Sequence, residues 1–282
     1  MSYDAPTDWS GTIGRVQLGA TSKEGGTRAI SYAIGGNTGL PFIEPNEGLT
    51  RPLVAYELCD DPLFWPALVV ERLGETITDL GAWTTLAERE LGADLVRLYL
   101  TSTKKRGFEE FETVGETVKT TLSATGLPLI VEGPNEPSIE SEVFRRVGEA
   151  GQGERLLLGT AEAARYRSVA AAALAYHHAV IAQSPIDVNL AKQLNILLRE
   201  IGVPQEQIVI DPYTGALGYG FEYSYSAMER IRYAALKGDG DLAMPMISSA
   251  PDSLTIKEVR DALPGDGPRT AVAWEVATGL AA

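Results

Sequence analysis

The sequence predicts a single α/β domain folded as a (β/α)8 TIM barrel with an N-terminal β-hairpin, and three observations predict it. Eight short apolar runs recur along 282 residues, about the length such a barrel takes. The runs are nearly continuous rather than alternating, as expected of parallel strands covered on both faces. Segments of helical character lie between them. A doubly wound open sheet is the runner-up.

The elements follow in order. Residues 14–34, "GRVQLGATSKEGGTRAISYAI", hold two strand-like arms around "SKEGG". They read as a hairpin, about 12–34, that plugs the barrel bottom and feeds the first strand. Barrel strands are expected at 29–36, 52–60, 94–102, 127–133, 155–160, 178–185, 208–212 and 242–249. Thr113 with Glu116, and Ser226 with Glu229, fit the capping box, in which two side chains satisfy each other's orphan backbone donors. In "DVNLAKQLNILLREIG" (187–202), Leu190, Leu194, Leu197, Leu198 and Ile201 share a helix face, and Gly202 with Pro204 ends it. Gly92, Gly126 and Gly238 likewise follow helical segments. His177 and His178 sit at a helix-to-strand junction. No low-complexity linker or solenoid repeat appears, so residues 1–282 are expected to form one domain.

Composition narrows the function. At 44% hydrophobic the chain can bury a substantial core. With 24 basic and 38 acidic residues its net charge is −14, which repels phosphate backbones and anionic lipid at long range. Neither nucleic acid nor a membrane is expected as partner. No apolar run approaches the ~20 residues of a membrane span, and "MSYDAPTDWSG" lacks a signal pattern, so cytoplasmic residence is expected. Cys59 is the only cysteine, too few for a disulfide, a zinc cage or a cluster held by four local thiolates. No metal ligand is assigned.

The working face of this fold lies at the carboxyl ends of the strands. Residues leaving the strands there are Glu57, Asp60, Thr101, Ser102, Glu132, Asn135, Thr160, Gln183, Ser184, Asp211, Thr214 and Ser248, with Asp187 and Asn189 shortly after the sixth run. Lys and His are missing from these ends, so a Schiff-base lysine or a Ser–His or Cys–His pair has no parts, and no catalytic residue is assigned. Glu57, Glu132 and Asp211 could do acid–base work, although N-capping and barrel-mouth hydrogen bonding are the commoner roles.

"GALGYG" spaces Gly215, Gly218 and Gly220 in the reverse of the dinucleotide fingerprint. The expected helix waits until about Ser226, so the context for NAD fails. The basic "STKKRG" (102–107) could meet an anionic group, though a solvated loop is commoner. Tyr213, Tyr219, Phe221, Tyr223 and Tyr225 cluster in the same long loop, as packing or as cover for a flat ligand.

Two stretches, "HAVIAQSPIDVNLAKQLNILL" (178–198) and "IVIDPYTGALGYGFEYSYSAMERIRYAAL" (208–236), closely resemble the small subunit of the corrinoid/iron–sulfur protein. In archaea that family is the delta subunit of the acetyl-CoA decarbonylase/synthase complex. "PLVAYELCD", "LYLTST" and "LPLIVEGPNEP" resemble its earlier strands, so the likeness covers most of the chain.

The resemblance implies a TIM-barrel subunit of a heterodimer whose large subunit carries a cobalamin domain and the iron–sulfur cluster, with the corrinoid between the two. It further implies that a methyl group passes from a methyltetrahydropterin, through a separate methyltransferase, to acetyl-CoA synthase/CO dehydrogenase in the reductive acetyl-CoA pathway. Gln183, Ser184, Asp187, Asn189, Asp211, Thr214, Gly215, Gly218, Tyr219 and Gly220 would then face the cofactor. The lone cysteine agrees that the cluster belongs to the partner. No D-x-H-x-x-G cobalt-ligand motif occurs, leaving a neutral lid over a flat macrocycle. The alternative is an autonomous pterin-dependent methyltransferase using Asp211, Asn135 and Asn189. A third possibility is an assembly subunit without ligand contact.

Overall fold

The structure, a computed structural model, describes residues 9–40, 51–61, 65, 67–102, 110–262 and 265–282. Strands β1 (Arg15–Leu18) and β2 (Tyr32–Gly35) form an antiparallel hairpin. Six parallel strands follow in sequential order: β3 (Ala55–Cys59), β4 (Leu95–Tyr99), β5 (Leu129–Glu132), β6 (Leu157–Ala161), β7 (Ala179–Gln183) and β8 (Ile208–Asp211). Helices α1 (Ala67–Leu73), α2 (Leu80–Arg89), α3 (Glu112–Ala124), α4 (Pro137–Ala150), α5 (Tyr166–Tyr176), α6 (Val188–Glu200) and α7 (Phe221–Leu236) alternate with the strands. A single turn, α8 (Lys257–Arg260), and a longer helix, α9 (Gly267–Ala281), close the chain. Among the described residues no helix is long and apolar enough to cross a membrane.

Two of the eight expected barrel strands differ. Residues 29–36 supply the second arm of the hairpin instead of a barrel strand, because Tyr32–Gly35 bonds back to β1. Residues 242–249 make one parallel bridge, Ile210 to Met246. Ile210 N–H donates to Pro245 O and Ile247 N–H donates to Ile210 O, both at 2.9 Å. Pro245 has no N–H to extend such a ladder, which is one reason the segment stays a bridge.

Apolar side chains cover both faces of the six strands, which explains their near-continuous hydrophobic runs. Outward residues such as Leu58, Leu98, Val131, Leu158, Val180 and Ile210 pack against Trp83, Val118, Phe144, Val169 and Leu194 of the helices. Inward residues Leu95, Ile130, Leu157, Ala179, Ile181 and Val209 meet Val16 and Leu18 of the hairpin. The hairpin therefore plugs the barrel at the strand N-termini, as the sequence leads one to expect. Burying two such side chains stabilises the plug by about 1.5–3 kcal/mol each.

Polar anchors fix the plug. Arg28, 5% exposed, bonds through Nε to Glu154 at 2.8 Å and donates to the carbonyls of Thr125 (2.7 Å) and Leu122 (2.8 Å). Gly19 has φ +76°, and a Cβ there would lie 2.7 Å from Pro128 Cγ. Only glycine fits.

The helix starts differ from the spacing rule. Thr113 lies inside α3, with its hydroxyl donating to Glu110 O at 2.6 Å, and Ser226 lies inside α7. The reciprocal arrangement occurs at Thr21 and Glu24, where Thr21 N–H donates to Glu24 Oε2 at 2.9 Å. On α6, Leu194 and Leu198 are buried, while Leu190 and Ile201 at the two ends remain exposed. Gly202 (φ +105°) follows the helix as expected. His177 caps α5 in the left-handed region, and His178 is buried, receiving Leu156 N–H at 3.2 Å.

Candidate functional site: the barrel mouth

The inward positions change character along the strands. Near the plug they are apolar; toward the carboxyl ends they become Glu57, Arg97, Glu132, Gln183 and Asp211. Register places Glu57 opposite Arg97 and Gln183 opposite Asp211. Strand alternation puts Leu95, Arg97 and Tyr99 on one face, so one residue type per layer decides what the lumen offers.

Arg97 is the centre of this layer. Its Nε donates to Glu132 Oε1 at 2.8 Å, and its Nη1 donates to Glu57 Oε2 and, at 2.8 Å, to Ser249 Oγ. The three charged side chains are 9–17% exposed. Burial pushes Glu57 up to about 7 against the opposing pull of Arg97, and Glu132, Asp252 and Glu275 add to the rise. Burial disfavours the Arg97 charge, yet Glu132 and Glu57 more than offset it, so the guanidinium is held above its usual range. Tyr99 is raised by burial and by Glu132.

Asp211, 6% exposed, accepts from Gln183 Nε2 and from Tyr213 N–H, both at 2.8 Å. Burial still pushes it up to about 6. Near neutral pH the layer therefore holds carboxyl groups close to their titration points, able to accept or donate a hydrogen bond.

The loop after β8 is tightly tied. Thr214 Oγ1 and Ser248 Oγ are 2.7 Å apart, and Ser249 N–H donates to Thr214 Oγ1 at 3.2 Å. Gly215 N–H donates to Ser224 Oγ at 2.9 Å. A Cβ on Gly215 would come within 3.1 Å of the backbone at Tyr219 and Gly220, and Gly220 (φ +99°) leads straight into α7. The helix thus begins at Phe221, ahead of the expected Ser226. Strand β8 ends at Asp211, so the dinucleotide context still fails.

Tyr219 differs most from expectation. Its hydroxyl donates to Glu258 at 2.5 Å and its ring meets Trp274 edge-on at 6.3 Å. Gly218 also faces Trp274. These residues fasten the loop to the C-terminal segment. Tyr219 nevertheless stays exposed, as do Tyr213 (φ +64°), Tyr223 and Tyr225.

The other expected residues divide. Ser184 is 2% exposed beside Asp211, and its Oγ finds no hydrogen-bond partner among the described residues. Asp187 is an N-cap, accepting from Asn189 N–H (2.7 Å) and Leu190 N–H (3.0 Å), and Asn189 is exposed in the first turn of α6. Asn135 accepts from Arg165 at 2.7 Å. Asp60 receives Thr101 N–H (2.7 Å) and Ser102 N–H (2.9 Å), bracing the next loop. Cys59 is buried with its thiol pushed up to about 12 by burial, which makes it inert. Of "STKKRG", all but Ser102 lies outside the described residues.

Sequence reasoning missed Arg97 because it inspected strand ends rather than strand interiors. An arginine in the middle of "DLVRLYLTS" was the available signal: a buried charge has to be paired.

The family model described as "CO dehydrogenase/acetyl-CoA synthase delta subunit" matches residues 15–276. The chain belongs to this family. Delta subunits of the acetyl-CoA decarbonylase/synthase complex from Methanosarcina mazei and Methanopyrus kandleri are 34% and 36% identical to it, over 97% and 88% of this chain. It spans 65% and 62% of those relatives' own length. Among solved structures, dihydropteroate synthase from Xanthomonas albilineans in complex with 7,8-dihydropteroate superposes with a TM-score of 0.54 at 21% identity, covering 83% of this chain and 85% of that one. That likeness shows the TIM-barrel fold of this delta-family chain.

Proposed function

We propose that the chain is the barrel subunit of a corrinoid methyl carrier of the acetyl-CoA decarbonylase/synthase type, and that its mouth covers one face of a corrinoid held by a larger corrinoid/iron–sulfur subunit. Membership in the delta-subunit family carries this reading. A methyltetrahydropterin methyltransferase would supply the methyl group and acetyl-CoA synthase/CO dehydrogenase would receive it, in the cytoplasm.

The residues present fit such a group. Among the described residues the Ser184 hydroxyl at the mouth lacks a partner, and Tyr213 offers an exposed ring at the rim. The role proposed for this chain is to cover a face of the group. When bound, the corrinoid supplies the cobalt on which a methyl group travels. Gln183, Ser184 and Thr214 would hydrogen-bond its periphery, Tyr213 would exclude water, and Asp211 would hold or release a proton at its carboxyl. Asp187 and Tyr219 serve the helix cap and the loop anchor.

Co-expression with the large subunit tests this. A stable heterodimer with corrin absorbance is expected, and Tyr213→Ala or Gln183→Ala should release corrin more readily on gel filtration. A heterodimer whose corrin retention ignores both substitutions would refute the capping role; failure to pair at all would refute the subunit assignment.

A second reading, autonomous pterin-dependent methyl transfer, draws on the buried Asp211–Gln183 pair, since a pterin's amide edge needs such acceptors. Asn135 and Asn189, its other candidate residues, point to Arg165 and to solvent. Saturable binding of methyltetrahydrofolate to the isolated chain, abolished by Asp211→Asn, would favour it.

A further inference from the structure

The C-terminal segment, residues 251–262 and 265–281, rests on the barrel mouth through a small seat of its own. Leu254, Ile256, Val259 and Ala271 pack with Ala216 of the loop after β8 and against Trp65 and Trp274, separately from the main core. Two polar ties supplement them: Tyr219 to Glu258 at 2.5 Å and Leu217 N–H to Thr278 Oγ1 at 3.4 Å. Val272 and Val276 on the far side of α9 are exposed. Such an element belongs to the low-stability end of a fold.

What lies beneath it opposes closure. Asp252 and the half-buried Glu275 come from the segment, Glu57 and Glu132 from the barrel. Asp252 and Glu275 both act on Glu57 as like charges. Among the described residues, Arg97 is the cation whose charge favours the ionised forms of both Glu57 and Asp252. The segment's Lys257 and Arg260 sit by Tyr219 instead. Asp211 and Tyr99 add acidic groups to the barrel side. Carboxylates gathered in this way repel one another and lose solvation as the segment settles.

We propose that residues 251–262 and 265–281 form a lid over the barrel mouth, closed while the carboxyl groups under it hold protons and released as they ionise. The sign follows from linkage. Burial raises Glu275 and Asp252, and Glu57 stands at about 7 with the lid in place. Opening returns the lid acids toward ordinary carboxylate values and removes part of the rise at Glu57, so protons leave as the lid opens. The closed state is favoured below the ordinary carboxylate range and weakens as pH rises toward 7. Asp252 keeps an exposed edge, and solvent screening there leaves Glu57 and Glu275 as the main contributors.

Amide hydrogen exchange on the full chain at pH 6.0 and 8.0, corrected for intrinsic rates, tests the lid. Protection of 267–281 should fall about threefold to tenfold over this interval, the size of a shift of one pKa unit or less, while α6 stays unchanged. Glu275→Gln should raise protection at pH 8.0 and flatten the dependence; Asp252→Asn should do so more weakly. Unchanged α6 protection certifies that each variant folds. Equal protection of 267–281 at both pH values, or a parent-like dependence in Glu275→Gln, would overturn the proposal.

Discussion

Replacing Arg97 with Met isolates the electrostatics of the lumen. The change keeps much of the side-chain volume and removes the guanidinium that Glu57, Glu132 and Ser249 share. Breaking a buried pair by removing one partner costs about 3–5 kcal/mol. The carboxylates can escape part of that cost by taking up protons. Glu57 already stands at about 7, so at pH 7.5 it escapes cheaply. The remaining cost is that of a second carboxylate left buried without its cation, and it shrinks wherever a lower pH lets the carboxyl pair take up protons. Urea unfolding should therefore show Arg97→Met destabilised by about 3–5 kcal/mol at pH 7.5 and by clearly less at pH 5, with the difference growing as pH rises between them. Adding Glu132→Gln should restore most of the loss at pH 7.5. A destabilisation equal at both pH values, or no rescue by Glu132→Gln, would show that Arg97 acts through packing and would refute the charge argument.

Three further outcomes are expected. Asp187→Ala removes two capping bonds to α6 and should cost about 1 kcal/mol in thermal melts while leaving pairing with the large subunit unchanged; lost pairing at an unaltered melting point would give Asp187 a contact role. His178, pushed down to about 4 by burial, binds a proton more readily when unfolded. Its stabilisation is complete above about 6.5 and is lost as pH falls toward 4, so His178→Gln should lose up to about 3 kcal/mol less than the parent over that window, read from unfolding midpoints. Tyr219→Ala removes the tie to Glu258 and Trp274 and should speed hydrogen exchange across α9 with no change in helical circular dichroism; unaltered exchange there would show the tie to be superfluous.

Strand positions were largely legible because each parallel strand is covered on both faces, which leaves uninterrupted apolar runs such as "PLIVEG" and "IVID". The hairpin's second arm was harder to separate from a barrel strand. "AISYAIGG" is as apolar as its successors, and only the antiparallel register with Arg15–Leu18 distinguishes it. Capping spacings at Thr113 and Ser226 misled because a reciprocal pair four residues long also occurs inside helices, where local propensity says nothing about where the first turn starts. In the site, Gln183 and Asp211 were visible as strand ends. Arg97 was not, since its role arises from Glu57 and Glu132 on two other strands. The ties of Tyr219 to Glu258 and Trp274 were not legible, since those partners lie far along the chain.

The plug formed by Val16 and Leu18 also governs the order in which this chain can complete itself. The hairpin precedes the six barrel strands in the chain and closes locally, through the pairing of Arg15–Leu18 with Tyr32–Gly35. Its apolar face is covered by Leu95, Ile130, Leu157, Ala179, Ile181 and Val209, all of which are synthesised after it. Arg28 waits likewise for Glu154. Until those strands are made, the nascent chain therefore carries a β-ribbon whose apolar face lacks its native cover, a form prone to misassociation until non-local contacts arrive. Holding that ribbon apart from neighbouring nascent chains is the demand this architecture places on the cell that synthesises it.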